Sequence, residues 1–243
     1  NWRNPIVNVR SYGSNPSQVL RYCRAYLKGA KDAGVEGTVK HFPGDGVDEV
    51  DQHLQTSVNS LSCTSWSKSY GWIYRGLIRD GLKAIMVGHI DQPAWRKRLG
   101  GRAEGERVPA SLSKTLVSKF LRQKLGFNGL VITDASIMLG FTTFMKRRDA
   151  VPAAIAAGCD MLLFNKDLAE DYAYMKEGIT RGILTVERID EAVGRILAYK
   201  ASLHLYERRI PDAEALECIG CPEHHIWAKK CAEEAITLVR DEQ

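Results

Sequence analysis

A chain of 243 residues that is 44% hydrophobic and 26% charged can bury a sizeable core, and its mixture excludes fibrous and wholly disordered classes. The net charge of +5 comes from 34 basic residues scattered among 29 acidic ones, and the basic clusters (Arg96 to Arg98 with Arg102, and Lys146 to Arg148) lack interleaved aromatic residues, which argues against a nucleic-acid partner. No apolar run approaches the ~20 residues of a membrane-crossing helix, so no membrane segment is expected.

From the amino end, Asn15 to Ala33 has a helical pattern, with Ser14 or Asn15 as the cap, Pro16 in the first turn and Gly34 as the stop. A strand is expected over Val35 to Phe42, closed by the breakers Pro43 and Gly44, and a carboxylate-rich loop then runs to Ser62. A helix from about Ser65 to Asp80 leads to a strand at Ala84 to His89 and a long loop reaching Pro109. The next unit is a helix from Ser113 to Leu125, stopped by Gly126, and a strand from Gly129 to Asp134. A helix near Asp149 to Ala157 precedes a strand at Asp160 to Phe164, and beyond Asn165 the chain reads as helical, most clearly from Val186 to Leu205.

The strands are continuous apolar runs, the pattern of strands covered on both faces in a parallel sheet. Repeated β-α-β units give an α/β fold, either a barrel or a doubly wound sheet, and no Gly-x-Gly-x-x-Gly opens a helix to favour the second. Polar or ionisable residues mark the carboxyl ends of successive strands: Lys40 and His41, His89, Asp134, Asn165. In a barrel such tips converge on the face where chemistry is done.

Several blocks carry a family resemblance. Lys40-His-Phe-Pro-Gly-Asp-Gly46, followed by Asp51-Gln-His53, resembles the Lys-His-Phe-Pro-Gly-His-Gly and Asp-Ser-His signature of glycoside hydrolase family 3, in its β-N-acetylhexosaminidase (NagZ-like) branch. Gly126-Phe-Asn-Gly-Leu-Val-Ile-Thr-Asp134 resembles the family's nucleophile block, and Arg10-Ser-Tyr-Gly13 its Arg-Ser-Phe-Gly segment after the third strand. The resemblance implies a (β/α)8 TIM-barrel-type domain, incomplete at the N-terminal side with its first strands missing. Residues 1–210 would be the C-terminal part of that catalytic domain, and 211–243 a connecting helix toward a second α/β domain, with Ala232 to Arg240 matching the helix between them. A partial barrel leaves open sheet edges and half a core, so it should be poorly stable alone; because the resemblance puts further sugar-contacting residues upstream, residues 1–243 alone are expected to be nearly inactive. The N-terminus, Asn1 to Pro5, has neither an initiator Met nor a signal peptide, which also reads as a start inside a longer protein.

The resemblance makes Asp134 the nucleophile and Asp51 with His53 the acid/base dyad; read from the residues alone, Asp134 also suits a helix cap and Asp51-x-His53 a solvated loop. Lys40, His41, Arg10 and His89 become sugar-binding positions, against an ion pair for Lys40, a surface side chain for Arg10 and a buried histidine bonded to backbone for His89. Two departures stand out: Asp45 replaces the family's His, and Ala135 replaces the second acid after the nucleophile. Cys218-Ile-Gly-Cys221 with His224 and His225 offers four potential zinc ligands, but His224 follows Cys221 too closely for a tetrahedral site; no metal and no cofactor are expected. The remaining cysteines show no disulfide rhythm, which leans toward a reducing, cytoplasmic compartment.

The implied activity is a retaining exo-hydrolase acting on a carbohydrate substrate with terminal β-linked N-acetylglucosamine, in glycans or peptidoglycan fragments. Its rivals are a β-glucosidase or β-xylosidase of the same family, a phosphorylase in which a neutral imidazole base admits phosphate, and an inactive sugar-binding fragment.

Overall fold

The computed structural model describes residues 1–101, 106–207, 213–238 and 240. Arg102, the expected boundary at 210/211 and Val239 of the connecting helix lie outside the described residues. The chain divides into two compact units, Asn1–Leu203 and His204–Gln243.

The first unit opens on α1 (Pro16–Asp32), whose cap is Asn15: its Oδ1 accepts from the backbone N–H groups of Ser17 and Gln18. Strand β1 (Thr38–Phe42) follows, then the acidic loop and a two-residue β2 (Ser57–Val58). The single helix expected from Ser65 to Asp80 is two helices, α2 (Cys63–Lys68) and α3 (Tyr70–Arg79), because the backbone leaves helical geometry at Ser69. Strand β3 (Ala84–Val87) stops short of His89, and β4 (Ile90–Asp91) pairs in parallel with β2. The expected long loop contains α4 (Pro93–Arg98), started by Gln92, whose Oε1 accepts from the Trp95 N–H, and by Pro93 at its first turn. A wide-wound π-type helix at Thr115–Lys124 precedes β5 (Leu130–Ala135). The short α5 (Leu139–Thr142), α6 (Arg147–Ala157), β6 (Met161–Leu163), α7 (Leu168–Thr180) and α8 (Val186–Ala201) complete the unit. In the second unit, α9 (Pro222–Ala235) carries exposed Ile226 and Trp227.

The main sheet is parallel throughout, in the order β1-β3-β5-β6, which is the α/β architecture expected. Among the described residues it is an open arc of four strands and does not close into a barrel. Every residue of β3 is buried, as expected of a strand covered on both faces.

The core fixes where β1 ends. Trp66 is fully buried, stacks on Tyr74 with 8° between ring planes, and donates its indole N–H to the Pro43 carbonyl over 2.6 Å. Phe42 packs edge-on to both rings. The strand's exit into the loop is therefore held by helices α2 and α3, not by the loop itself.

The amino ends of the strands carry a different kind of constraint. Asp160, just before β6, is buried, and its carboxylate takes charged contacts from Arg122 (2.6 Å), Arg188 (2.8 Å) and Arg195 (3.5 Å) as well as the Val131 N–H (2.9 Å). A buried charge repays its desolvation only when paired and hydrogen-bonded to this extent. Removing it strands three guanidinium groups. Asp160→Ala is expected to lower unfolding stability by about 3–5 kcal/mol in a urea melt, and a change within experimental error would contradict this account.

Candidate active site

At the carboxyl end of β1 the pairing with β3 slips: Val39 faces Ile85 and Phe42 faces Val87, so two residues, Lys40 and His41, stand opposite one. Such a bulge re-aims the side chains it contains. The peptide bonds Lys40–His41 and Phe42–Pro43 are both cis. Lys40 emerges exposed, and His41 is buried beneath it. The His41 ring lies between two carboxylates, with Nδ1 3.2 Å from Asp45 Oδ2 and Nε2 3.5 Å from Asp134 Oδ2.

Asp134 sits inside β5, five residues before the next helix begins at Leu139, so it is not a helix cap. Its Oδ1 accepts from the Ala135 N–H (2.8 Å), leaving Oδ2 directed at His41. The backbone beyond it is clamped. Arg147 donates to the Ser136 carbonyl (2.5 Å) and to Ser136 Oγ (3.0 Å), while pairing with buried Asp171 over 2.5 Å; Asn165 Nδ2 also donates to Asp171 (3.1 Å).

The loop carrying Asp51 and His53 is stitched to the segment after Asp134. Leu139 N–H donates to the His53 carbonyl (2.9 Å), and Thr56 Oγ1 donates to the Gly140 carbonyl (3.1 Å). A methyl group at Gly140 would lie 2.4 Å from the Gln52 carbonyl oxygen, so only glycine lets the two backbones approach this closely. On that loop His53 Nδ1 is 2.6 Å from Asp51 Oδ1, which also accepts the His53 backbone N–H (2.8 Å). The carboxylate is at Nδ1, not Nε2, and the side chain is 53% exposed.

His89 is on the protein side of this arrangement. It is fully buried, with Nε2 3.0 Å from the Ala135 carbonyl and Nδ1 2.8 Å from Ser111 Oγ. The carbonyl only accepts, so Nε2 carries the proton and Nδ1 accepts from the serine. Burial, partly opposed by the bond to Ala135 and the charge of Asp134, pushes its pKa down to about 4. Of the two readings its sequence position allowed, a sugar contact and a buried histidine bonded to backbone, the geometry is that of the second. Arg10 and Lys40 are exposed, and neither forms an ion pair with the described residues. Among the described residues no cluster of three or more His, Cys, Asp or Glu side chains is arranged to hold a metal ion.

Three participants were not legible as such in the sequence. Asp45 is visible there as a departure, but its contact with His41 is not. Gln52, between the dyad residues, donates to Asp45 Oδ2 (2.8 Å) and accepts the His89 backbone N–H (2.9 Å). Arg147 looks like part of a basic cluster, and its clamp on Ser136 depends on Asp171, 24 residues further on.

Comparison with known proteins adds to this geometry. Residues 1–199 match the family described as "Glycosyl hydrolase family 3 N terminal domain". The chain belongs to glycosyl hydrolase family 3. A "Beta-N-acetylglucosaminidase/beta-glucosidase" of Cellulomonas fimi is 45% identical over 100% of this chain and 43% of the relative. A solved "Beta-glucoside phosphorylase BglX" with 2FGlc bound superposes with a TM-score of 0.95 at 47% identity, over 100% of this chain and 44% of the other. A family 3 β-N-acetylglucosaminidase from Paenibacillus sp. str. FPU-7 superposes at 0.87 with 29% identity, covering 100% and 45% respectively. The chain thus spans less than half the length of these family 3 relatives. The open four-stranded arc is a sector of the barrel-type fold of this domain family.

The neutral, buried His89 predicts a pH dependence of stability. Its folded pKa of about 4 lies below the ordinary 6.5, so the unfolded chain binds the proton more readily. Its stabilising contribution is complete above pH 6.5 and is lost as the pH falls toward 4, by roughly 3 kcal/mol. Denaturant melts across that window should show a steeper loss for the wild type than for His89→Gln. Equal slopes would sink the assignment of a neutral imidazole.

Proposed function

We propose that this chain supplies the catalytic face of a retaining exo-glycosidase that removes terminal β-linked N-acetylglucosamine from glycans or peptidoglycan fragments. The observation that carries the reading is the Asp51–His53 pair, 2.6 Å apart on a loop bonded to the segment following Asp134. It is supported by the relatives named for β-N-acetylglucosaminidase activity at 45% and 29% identity. Because the chain spans 43% of the Cellulomonas relative, the reading takes further sugar contacts and a second domain from the rest of a longer polypeptide.

In the first step Asp134 Oδ2 attacks the anomeric carbon as the bond to the leaving oxygen breaks, and His53 Nε2–H gives that oxygen its proton. In the second step Nε2 takes a proton from water, whose oxygen attacks the anomeric carbon and releases Asp134. Asp51 holds Nδ1–H, fixes the ring and stabilises the imidazolium present before each proton donation. Lys40 and Arg10, exposed and without an ion pair among the described residues, would donate to sugar hydroxyls, with His41 completing the sugar side. His89 would act indirectly, by holding the Ala135 carbonyl next to Asp134.

A second reading, phosphorolysis, is favoured by the resemblance to the β-glucoside phosphorylase at 47% identity. A neutral imidazole base repels an incoming phosphate less than a carboxylate would.

The test compares aryl β-N-acetylglucosaminide and aryl β-glucoside in the full-length polypeptide, with and without inorganic phosphate. The wild type should prefer the N-acetyl sugar. His53→Ala should lose about 10²- to 10⁴-fold in kcat, and Asp134→Asn nearly all turnover. Sugar 1-phosphate as the main product would convert the reading to a phosphorylase. Preference for the β-glucoside, indifferent to His53, would move the acid/base off this loop.

A further inference from the structure

The residue that sets this chain's loop apart from its family signature is also the best-connected carboxylate in it. Asp45 Oδ1 accepts the Gly46 N–H (2.8 Å), and Oδ2 accepts Gln52 Nε2 (2.8 Å) while lying 3.2 Å from His41 Nδ1. Its side chain is only 6% exposed. The backbone beneath it is rigid: Tyr70 of α3 donates its hydroxyl to the Asp45 carbonyl (2.6 Å), and Asn59 Nδ2 donates to the Gly44 carbonyl (3.0 Å). Gly44, at φ +132°, lies against the Tyr70 ring, where an added methyl would fall 2.4 Å from a ring carbon. Asp45 therefore takes its position from Tyr70 of α3 as well as from its own loop.

Two chains of contact lead away from it. One runs through His41 to Asp134, 3.5 Å beyond the ring's far nitrogen. The other runs through Gln52, whose Oε1 accepts the His89 N–H (2.9 Å) and whose neighbours in sequence are Asp51 and His53. Both pass under Gly88, where an added methyl would lie 3.0 Å from His41 Cβ and from Gln52 Oε1. We infer that Asp45 is a positioning residue for the proposed glycosyl transfer, holding His41 against Asp134 and, through Gln52, setting the height of the loop that carries Asp51 and His53. An amide at position 45 keeps the shape of the side chain and removes its charge from beside His41.

The inference rests on the retaining-glycosidase reading, and its test separates the two. In the full-length polypeptide, Asp45→Asn should lower kcat about 10²-fold with KM and the thermal melt little changed, because misplacement of the reacting groups is lost in the transition state. Asp45→Glu, which keeps the charge, should recover part of that loss. If Asp45→Asn fails to fold, Gln52→Glu breaks the same chain at its next link and should give the same kcat loss. Wild-type turnover that His53→Ala abolishes but the folded Asp45 or Gln52 variant leaves within about twofold overturns the inference alone. A wild type that cleaves neither aryl glycoside overturns the glycosidase reading and the inference with it.

Discussion

Two irregular segments share one backbone surface at the carboxyl face of the sheet, and the site depends on how closely they meet. The acidic loop at 43–56 lies on the turn at 135–142, with Gly140 beneath the Gln52 carbonyl and Leu139 bonded to His53. Loops are normally the adjustable part of a barrel-type fold. Here the contact leaves no adjustment, since a single methyl at Gly140 would enter the space of a carbonyl oxygen. That close approach ties the loop after β1 that carries His53 to the segment that follows Asp134 of β5, across a sheet in which β3 lies between the two strands.

Charges are buried at both ends of the strands, but to different ends. At the amino end Asp160 gathers three arginines and a backbone N–H into a network saturated with partners, which serves stability. At the carboxyl end the contacts of His41 to Asp45 (3.2 Å) and Asp134 (3.5 Å) are longer than those of Arg122 and Arg188 to Asp160, and among the described residues that ring is the sole side-chain partner of Asp134 Oδ2. The same contrast separates His89, both of whose nitrogens are used, from His53, about half exposed and bonded through Nδ1 alone among the described residues.

The alternation of apolar runs and helical stretches made the α/β class and the strand tips legible, because continuous Val/Ile/Leu segments have few other uses. The signature blocks then named Asp134, Asp51 and His53 without any knowledge of distance. The sequence could not show that Ser69 breaks one helical pattern into α2 and α3, since the break is a backbone torsion at a residue that most helices tolerate. Nor could it show α4, because a six-residue helix gives too little periodicity and its main support is the burial of Trp95 against Phe120. Asp45, Gln52 and Arg147 escaped for a third reason: their roles are defined by partners far along the chain or by a polar contact that leaves no pattern. His89 shows the converse, a conspicuous position at a strand end whose ring is fully occupied by the protein.

In the proposed mechanism an imidazole of the acidic loop moves the protons, and the carboxylates of that loop are otherwise engaged. Asp45 is committed to Gly46, Gln52 and His41. Asp48, its pKa raised by burial, accepts the Val58 N–H and so ties the loop to β2. Glu49 pairs with Arg3 at the surface, and Asp51 is taken by His53. Each carboxylate thus serves as a local acceptor for backbone or side-chain donors, the usual work of aspartates in a turn-rich loop. A carboxylic acid acting as proton donor from Asp45 or Asp48 would disturb one of those bonds, and a buried donor left unpaired costs about 1–3 kcal/mol. His53 Nε2 incurs no such loss, because only its Nδ1 side is held.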